Sequence, residues 1–140
     1  MSFNNIYEIA GSGMRSQILR LNTVASNLAN VNSAASSEKE AYHALKPIFA
    51  TVYQTSQETL EVTGASVNML GVTQSQQAIE RRYEPEHTLA NNDGYVFYSN
   101  VNAVAEMADM MSASRSFESS AEVMRRVNSM QQSLLRLGQG

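Results

Sequence analysis

The residues best equipped for chemistry in this chain are its two histidines, His43 and His87, and the carboxylates beside the second. Tyr83-Glu84-Pro85-Glu86-His87 sets an imidazole close to two carboxylates, the ingredients of acid–base catalysis or of a metal site. The wider pattern does not support either. His43 lies in a different segment, Cys is absent, and no nucleotide loop, nucleophile elbow or zincin spacing occurs. A surface loop with ordinary charges is the stronger reading of His87, and no catalytic residue, cofactor or metal is expected.

The chemistry that is abundant is neutral hydrogen bonding. Of the 140 residues, 43 % are hydrophobic and only 16 % charged, so Ser, Asn, Gln and Thr fill much of the remainder. Such groups suit half-buried surfaces, because an amide or hydroxyl can exchange water for protein partners without desolvating a charge. A net charge of −3, with basic pairs only at Arg81-Arg82 and Arg125-Arg126, excludes a dedicated nucleic-acid binder. No apolar run is long enough for a membrane span. Arg15 and Arg20 interrupt the apolar positions near the start, so a cleavable secretory signal is not expected.

The elements that must position these groups follow from periodicity. A first helix is predicted from about Asn4 to Val31, with Asn4 or Asn5 as its cap. Ala10, Met14, Gln17, Leu21, Val24, Leu28 and Val31 recur at steps of four and three, and Gln17 is the polar interruption. A longer helix is predicted from about Asn102 to Leu137. Its apolar series runs Val104, Ala108, Met111, then Phe117, Ala121, Met124, then Val127, Met130, Leu134 and Leu137. Asn100 or Asn102 is placed to cap it, Glu106 and Asp109 lie near its positive end, and Arg136 and Gly138 close it. Glu122 and Arg126 stand four apart in the favourable order. At about 1.5 Å per residue these helices reach roughly 40 and 55 Å, long for so short a chain.

Between them the pattern changes. Pro47–Tyr53, Leu60–Val62, Val67–Val72, Ala78–Tyr83 and Tyr95–Tyr98 read as short strands, with breaks at Gly64 and Gly71 and a turn at Asn91-Asn92-Asp93-Gly94. Ser33–Glu38 reads as a polar hinge. The expected fold is mainly α with a small β-rich insert: two long terminal helices forming a coiled-coil-like stalk, and a short-stranded middle module projecting from it. The segments are 1–32, 33–99 and 100–140.

Both helices also carry apolar or small residues outside one seam: Ile18, Leu19, Ala25 and Ala29 in the first, Met107, Met110, Ala113 and Val123 in the second. Burying one large apolar side chain is worth roughly 1.5–3 kcal/mol. One antiparallel partner cannot cover so broad a stripe, so other chains are expected to. The first helix is rich in Asn, Ser and Thr, which are modest helix formers, and it should depend on packing for stability.

Leu21-Asn22-Thr23-Val24-Ala25-Ser26-Asn27-Leu28-Ala29-Asn30-Val31-Asn32 resembles the N-terminal signature of flagellar rod, hook and hook-associated proteins. Ser99-Asn100-Val101-Asn102-Ala103-Val104-Ala105-Glu106-Met107, continued by Ser114-Arg115-Ser116-Phe117-Glu118, resembles the C-terminal signature of the same family. The middle motif at Tyr83–His87 with Asp93-Gly94-Tyr95-Val96, and the short length, are similar to the C-type proximal branch of the rod family. Thr88 stands where that branch usually has Pro, and Ser119-Ser120 where the family commonly has Asn.

The resemblance implies a structural subunit of the bacterial flagellar basal-body rod, crossing the periplasm. Its terminal helices would pack as coaxial layers of a tube with the middle segment outward. It also implies export without signal cleavage by the flagellar type III apparatus. The partners implied are copies of itself and other rod proteins. A secreted type III effector, or another helical partner-binding protein, is the rival class; a membrane-active helix would need a basic polar face, and the second helix mixes both signs.

The expected subunit contacts are carried by Leu21, Val24, Leu28 and Val31 packing on helix partners, and by Asn22, Asn27, Asn30 and Asn32 bonding across chains. Surface solvation or C-capping is the alternative role for each Asn. Ser26, Asn100, Val101, Val104, Met107, Met111, Phe117, Met124, Val127, Met130 and Leu134 complete the candidate interface. Arg115 and Glu118 are expected to form an intrahelical pair or to bridge subunits, the former more readily.

Overall fold

The computed structural model describes residues 3–55 and 62–138. Two helices run antiparallel: α1, Phe3–Ala29, and α2, Ala103–Leu137. Tyr7 reaches Gln131 near one end, Gly13 faces Ser120, and Arg20 is bonded to Asp109 at 2.7 Å towards the other. Among the described residues five strands lie between them: β1 (Ala34–Ala35), β2 (Leu45–Thr55), β3 (Val62–Gln74), β4 (Glu80–Tyr83) and β5 (Tyr95–Tyr98). They form a β2–β3 antiparallel hairpin and a separate three-stranded sheet in the order β1-β5-β4.

Helix ends follow side-chain chemistry. Asn102 caps α2, its side chain accepting the Ala105 N–H at 3.1 Å. Gly138 ends it by donating to Leu134 O at 3.1 Å. α1 is already helical at Phe3, which puts Asn4 and Asn5 inside its first turn and not at the cap. Its C-terminus falls at Ala29, before Val31: the last turn tightens, with Val31 N–H donating to Leu28 O at 3.3 Å, and the Asn30 side chain donates to the Ser26 carbonyl at 2.9 Å.

The insert departs from the expected projection. β2 and β3 are long, at 11 and 13 residues, and the hairpin packs along α1, with Val67 N–H donating to Ser12 Oγ at 3.2 Å. From Leu45 beside Asn27 to Val67 beside Ser12, strand and helix advance together by about 20 Å. Gly64 and Gly71 do not break β3. Each sits beside a register shift, between Gln54 and Thr55 and between Ile48 and Phe49, so they mark bulges. Leu60 and Glu61, from the second expected strand, lie outside the described residues.

The polar hinge is also more ordered than its composition suggests: Ala34 and Ala35 pair with Tyr98 and Phe97. The turn at Asn91–Gly94 closes the other end of that sheet. Gly94 has φ 81°, and an added Cβ would stand 2.8 Å from Tyr83 Cε2. Only glycine fits there.

The core is thin. Among the described residues the buried apolar ones are Ala10, Val24, Ala41, Ala44, Val96, Ala113 and Val127, more than half of them alanine. α1 buries four polar residues, Ser12, Ser16, Thr23 and Asn27, against two apolar ones. Ser12, Ser16 and Thr23 bond to carbonyls of their own helix, which satisfies their hydroxyls and lets a strand approach closely. The accessible surface is 9802 Å², whereas a compact monomer of 15.4 kDa exposes about 7,200 Å².

Candidate functional site: helix faces and a polar clasp

Exposed large apolar side chains lie on both helices, and also on the hairpin at Ile48, Val52, Leu70 and Val72. On α2, Val104 is 78 % exposed, Met111 58 %, Met130 58 % and Leu134 54 %; Met107 and Leu137 are exposed as well. The helix turns another stripe to α1: Met110, Ala113, Phe117, Ser120, Met124 and Val127, at alternating steps of three and four and all half-buried or buried. Ala113 and Met110, expected outside the seam, are therefore in it. Val104 and Met111, expected in one seam with Met124 and Val127, stand outside it. On α1, Ile18, Leu19, Ala25 and Ala29 are exposed as expected.

The candidate residues accordingly separate into two groups. Leu21, Leu28, Val31, Val101, Phe117 and Met124 are half-buried within the chain, and Val24 and Val127 are buried. Val104, Met107, Met111, Met130 and Leu134 face solvent. Asn22 and Asn32 are exposed and make no side-chain hydrogen bond among the described residues. Arg115 and Glu118 are also exposed, and the intrahelical pair expected of them does not form; the helix pairs its charges one turn on, where Glu122 bonds Arg126 at 3.0 Å and Arg125 at 2.6 Å. Those two bonds hold the Glu122 carboxyl below its ordinary value, Arg126 contributing most.

Asn27 has a different place. It is 1 % exposed, and its Oδ1 accepts from Leu45 N–H at 2.8 Å and Tyr42 O–H at 3.1 Å while its Nδ2 donates to Leu45 O at 2.9 Å. Ser26 Oγ meets the same Tyr42 hydroxyl at 3.1 Å. From the other signature, Asn100 Oδ1 accepts the Ala44 N–H at 2.7 Å and Nδ2 donates to Gln77 O at 2.7 Å. Ser99 Oγ donates to Val31 O at 2.7 Å. Ser26 and Asn27 of one signature and Ser99 and Asn100 of the other thus converge on one clasp where the helix roots meet the base of the hairpin. Periodicity could not reveal this, since the partners are backbone groups of residues 44, 45 and 77. The repeated Asn at fixed offsets was its one visible trace.

The histidines belong to local structure. His43 lies in the clasp, with Nδ1 3.3 Å from Ser75 O. His87 Nδ1 accepts the Leu89 N–H at 3.1 Å, shaping the loop before Gly94. Among the described residues no helix is long and apolar enough to cross a membrane.

Long antiparallel helices with an open apolar face, joined by a polar clasp to a β insert, define a subunit built to be surrounded by others. Family comparison gives that class a home. Residues 8–34 match the model described as flagella basal body rod protein, and residues 92–137 the model for the flagellar basal body rod FlgEFG protein C-terminal region. The chain is 40 % identical to the flagellar basal-body rod protein FlgC of Salmonella typhimurium strain LT2, over 99 % of this chain and 100 % of that one. It is 34 % identical to FlgC of Yersinia enterocolitica over the same shares, and 36 % identical to FlgC of Aquifex aeolicus strain VF5 over 84 % of each chain. The chain belongs to the flagellar basal-body rod protein family, in its FlgC-like branch. It is a structural subunit of the basal-body rod, and the rod is where it resides.

Proposed function

We propose that the chain works mechanically, assembling through the open faces of α1 and α2 into a helical tube that transmits motor torque. The neighbours are copies of itself and other rod proteins. Residues 1–32 and 100–140 form the axial core in this reading, and residues 33–99 lie outside it. Transmitting torque needs many staggered lateral contacts rather than one hinge-like interface.

The observation that carries the reading is the surplus surface. Roughly 2,600 Å² beyond a compact monomer is more than one standard interface of about 800 Å² per partner can cover. Val104, Met107, Met111, Met130 and Leu134, with Ile18 and Leu19, are the apolar anchors of those contacts. Asn22, Asn32, Arg115 and Glu118 are exposed and supply polar partners across chains. Val24, Asn27 and Val127 act within the subunit, holding the shape that neighbours meet. The chain has no catalytic role and no nucleic-acid partner in this reading, in keeping with its net charge of −3 and the local roles of both histidines. It leaves the cytoplasm through the flagellar type III export apparatus.

The test is electron microscopy of basal bodies from a strain lacking the gene. Rods should be absent, and should return when the wild-type chain is supplied. Intact rods in the deletion strain would reject the proposal.

A further inference from the structure

The hairpin β2–β3 is held at its base by side chains from both helix roots. At the base, Ser75 N–H donates to Ala44 O at 2.7 Å, closing the two strand ends on each other. Asn27 of α1 holds Leu45 by both backbone groups, at 2.8 and 2.9 Å. Asn100, just ahead of α2, takes the Ala44 N–H at 2.7 Å and gives its own N–H to Gln77 O at 2.7 Å, so one side chain ties both hairpin ends to the C-terminal helix root. Further along, the hairpin lies over the buried Ser12 and Ser16 of α1. A cleft of about 500 Å³, lined by Arg15, Ser16, Leu19, Val67, Asn68 and Met69, opens beside that contact. The cross-element hydrogen bond there is Val67 N–H to Ser12 Oγ, at 3.2 Å.

A two-stranded hairpin is marginally stable at best in water by itself. β2–β3 must therefore draw its stability from what holds it, and at its base that hold comes from two asparagines, one at each helix root. We infer that Asn27 and Asn100 form a two-point latch: the hairpin locks onto α1 only when the N- and C-terminal helix roots have been brought together. Both are positioning residues. Asn27 satisfies both backbone groups of Leu45 and Asn100 one each of Ala44 and Gln77, and with either missing the remaining one fixes the base at a single point about which the hairpin can swing. Docking of the hairpin thereby reports that both chain ends are in place. A chain whose α2 has not yet joined α1 carries the hairpin loose. The inference concerns one chain and stands apart from the assembly reading.

Hydrogen exchange on the full-length protein tests it, with N27A, N100A, the double variant, N100D, and S12A as a control away from the base. Either alanine variant at the latch should speed exchange of the cross-strand amides of β2–β3 together, by about tenfold or more, while seam amides of α1 and α2 change less. The double variant should add little to the larger single effect, since one missing point already frees the hairpin. N100D keeps the acceptor for Ala44 and loses the donor to Gln77, so it should fall between wild type and N100A. S12A should change exchange at Val67 and its near neighbours alone. Faster exchange confined to Ala44, Leu45, Ser75 and Gln77 overturns the latch, as do single effects that multiply in the double variant. Loss of protection in α1 and α2 equal to that in the hairpin also overturns it, because the hairpin would then not be a separately held unit.

Discussion

The side-chain amide of Asn27 engages both backbone groups of Leu45, accepting from its N–H at 2.8 Å and donating to its carbonyl at 2.9 Å. The arrangement extends strand-type pairing by one side chain, and it lets a buried polar residue close a helix-to-strand junction without a stranded donor. Ala44, the neighbouring residue, donates its N–H to Asn100 Oδ1 at 2.7 Å. One asparagine from each terminal signature therefore fixes one of two consecutive residues at the start of β2.

Replacing Asn27 by Ala removes three hydrogen bonds from a side chain that is 1 % exposed. A buried backbone donor or acceptor left unpaired costs about 1–3 kcal/mol. The expected loss is roughly 2–4 kcal/mol of unfolding free energy, read by urea denaturation with the slope unchanged. A loss under 0.5 kcal/mol would mean that water or a shifted backbone replaces the amide.

How far the sequence revealed this architecture depends on what each residue bonds to. The helices were legible because their apolar spacing is local, and Asn102 was legible as a cap because it bonds three residues ahead. The hairpin was legible in its strands and not in its length, since glycine can mark a bulge as readily as a break, and Gly64 and Gly71 mark bulges. The seam of α2 was misphased at its start. Val104 and Met111 carry the apolar period, yet the position packed wholly inside is the small Ala113, because close helix approach favours small side chains over large ones. Asn27 was legible as a polar residue of consequence, but its partner is a backbone peptide 18 residues away, and no side-chain pattern encodes that. The exposed pair Arg115 and Glu118 had the right spacing for an ion pair, and at exposed sites the gain from pairing is small enough for either rotamer to go elsewhere.

Two glycines give a contrasting pair. At Gly94, φ is 81° and a Cβ would stand 2.8 Å from Tyr83 Cε2, with the Pro85 backbone behind it. G94A should cost at least about 1–2 kcal/mol from the left-handed backbone alone, and the clash adds to this. At Gly71 nothing lies within 4 Å of the added atom. G71A is therefore expected to be neutral or stabilising by up to about 1 kcal/mol. Thermal unfolding of both variants checks the pair; equal shifts would contradict the turn argument.

The two shifted acids should move stability in opposite pH ranges. The hydrogen bond from Arg126, then the field of Arg125, holds Glu122 below the ordinary 4.5. Folding thus favours its carboxylate: the contribution is present above that ordinary value and disappears as pH falls through the lowered one. Tyr98 donates to Glu84 at 2.9 Å, and this bond with burial raises its pKa above 10.0. Its contribution is complete below that value and is lost as pH rises through the raised one. E122Q should differ from wild type at neutral pH and converge with it in acid, whereas Y98F should converge only in alkali. Chemical denaturation across pH reads both, and added salt should shrink the Glu122 difference. Convergence at the wrong end would refute the assigned cause.

The last prediction separates folding from assembly using two apolar positions on one helix. Val127 is 7 % exposed, in the seam against α1, while Leu134 is 54 % exposed two turns further on. V127A should lose about 1–3 kcal/mol of stability through lost burial and the cavity left behind. L134S changes a side chain that meets mainly water in the single chain, so its stability should stay within about 0.5 kcal/mol of wild type. In cells the order should reverse. L134S should impair rod formation, read by electron microscopy of basal bodies and by swimming, because the position is covered only once a neighbour arrives. V127A should assemble wherever enough folded chain accumulates. A stable L134S protein that builds normal rods would show that α2 does not use this face. Attention would then shift to Val104, Met107 and Met111, at the other end of the same helix.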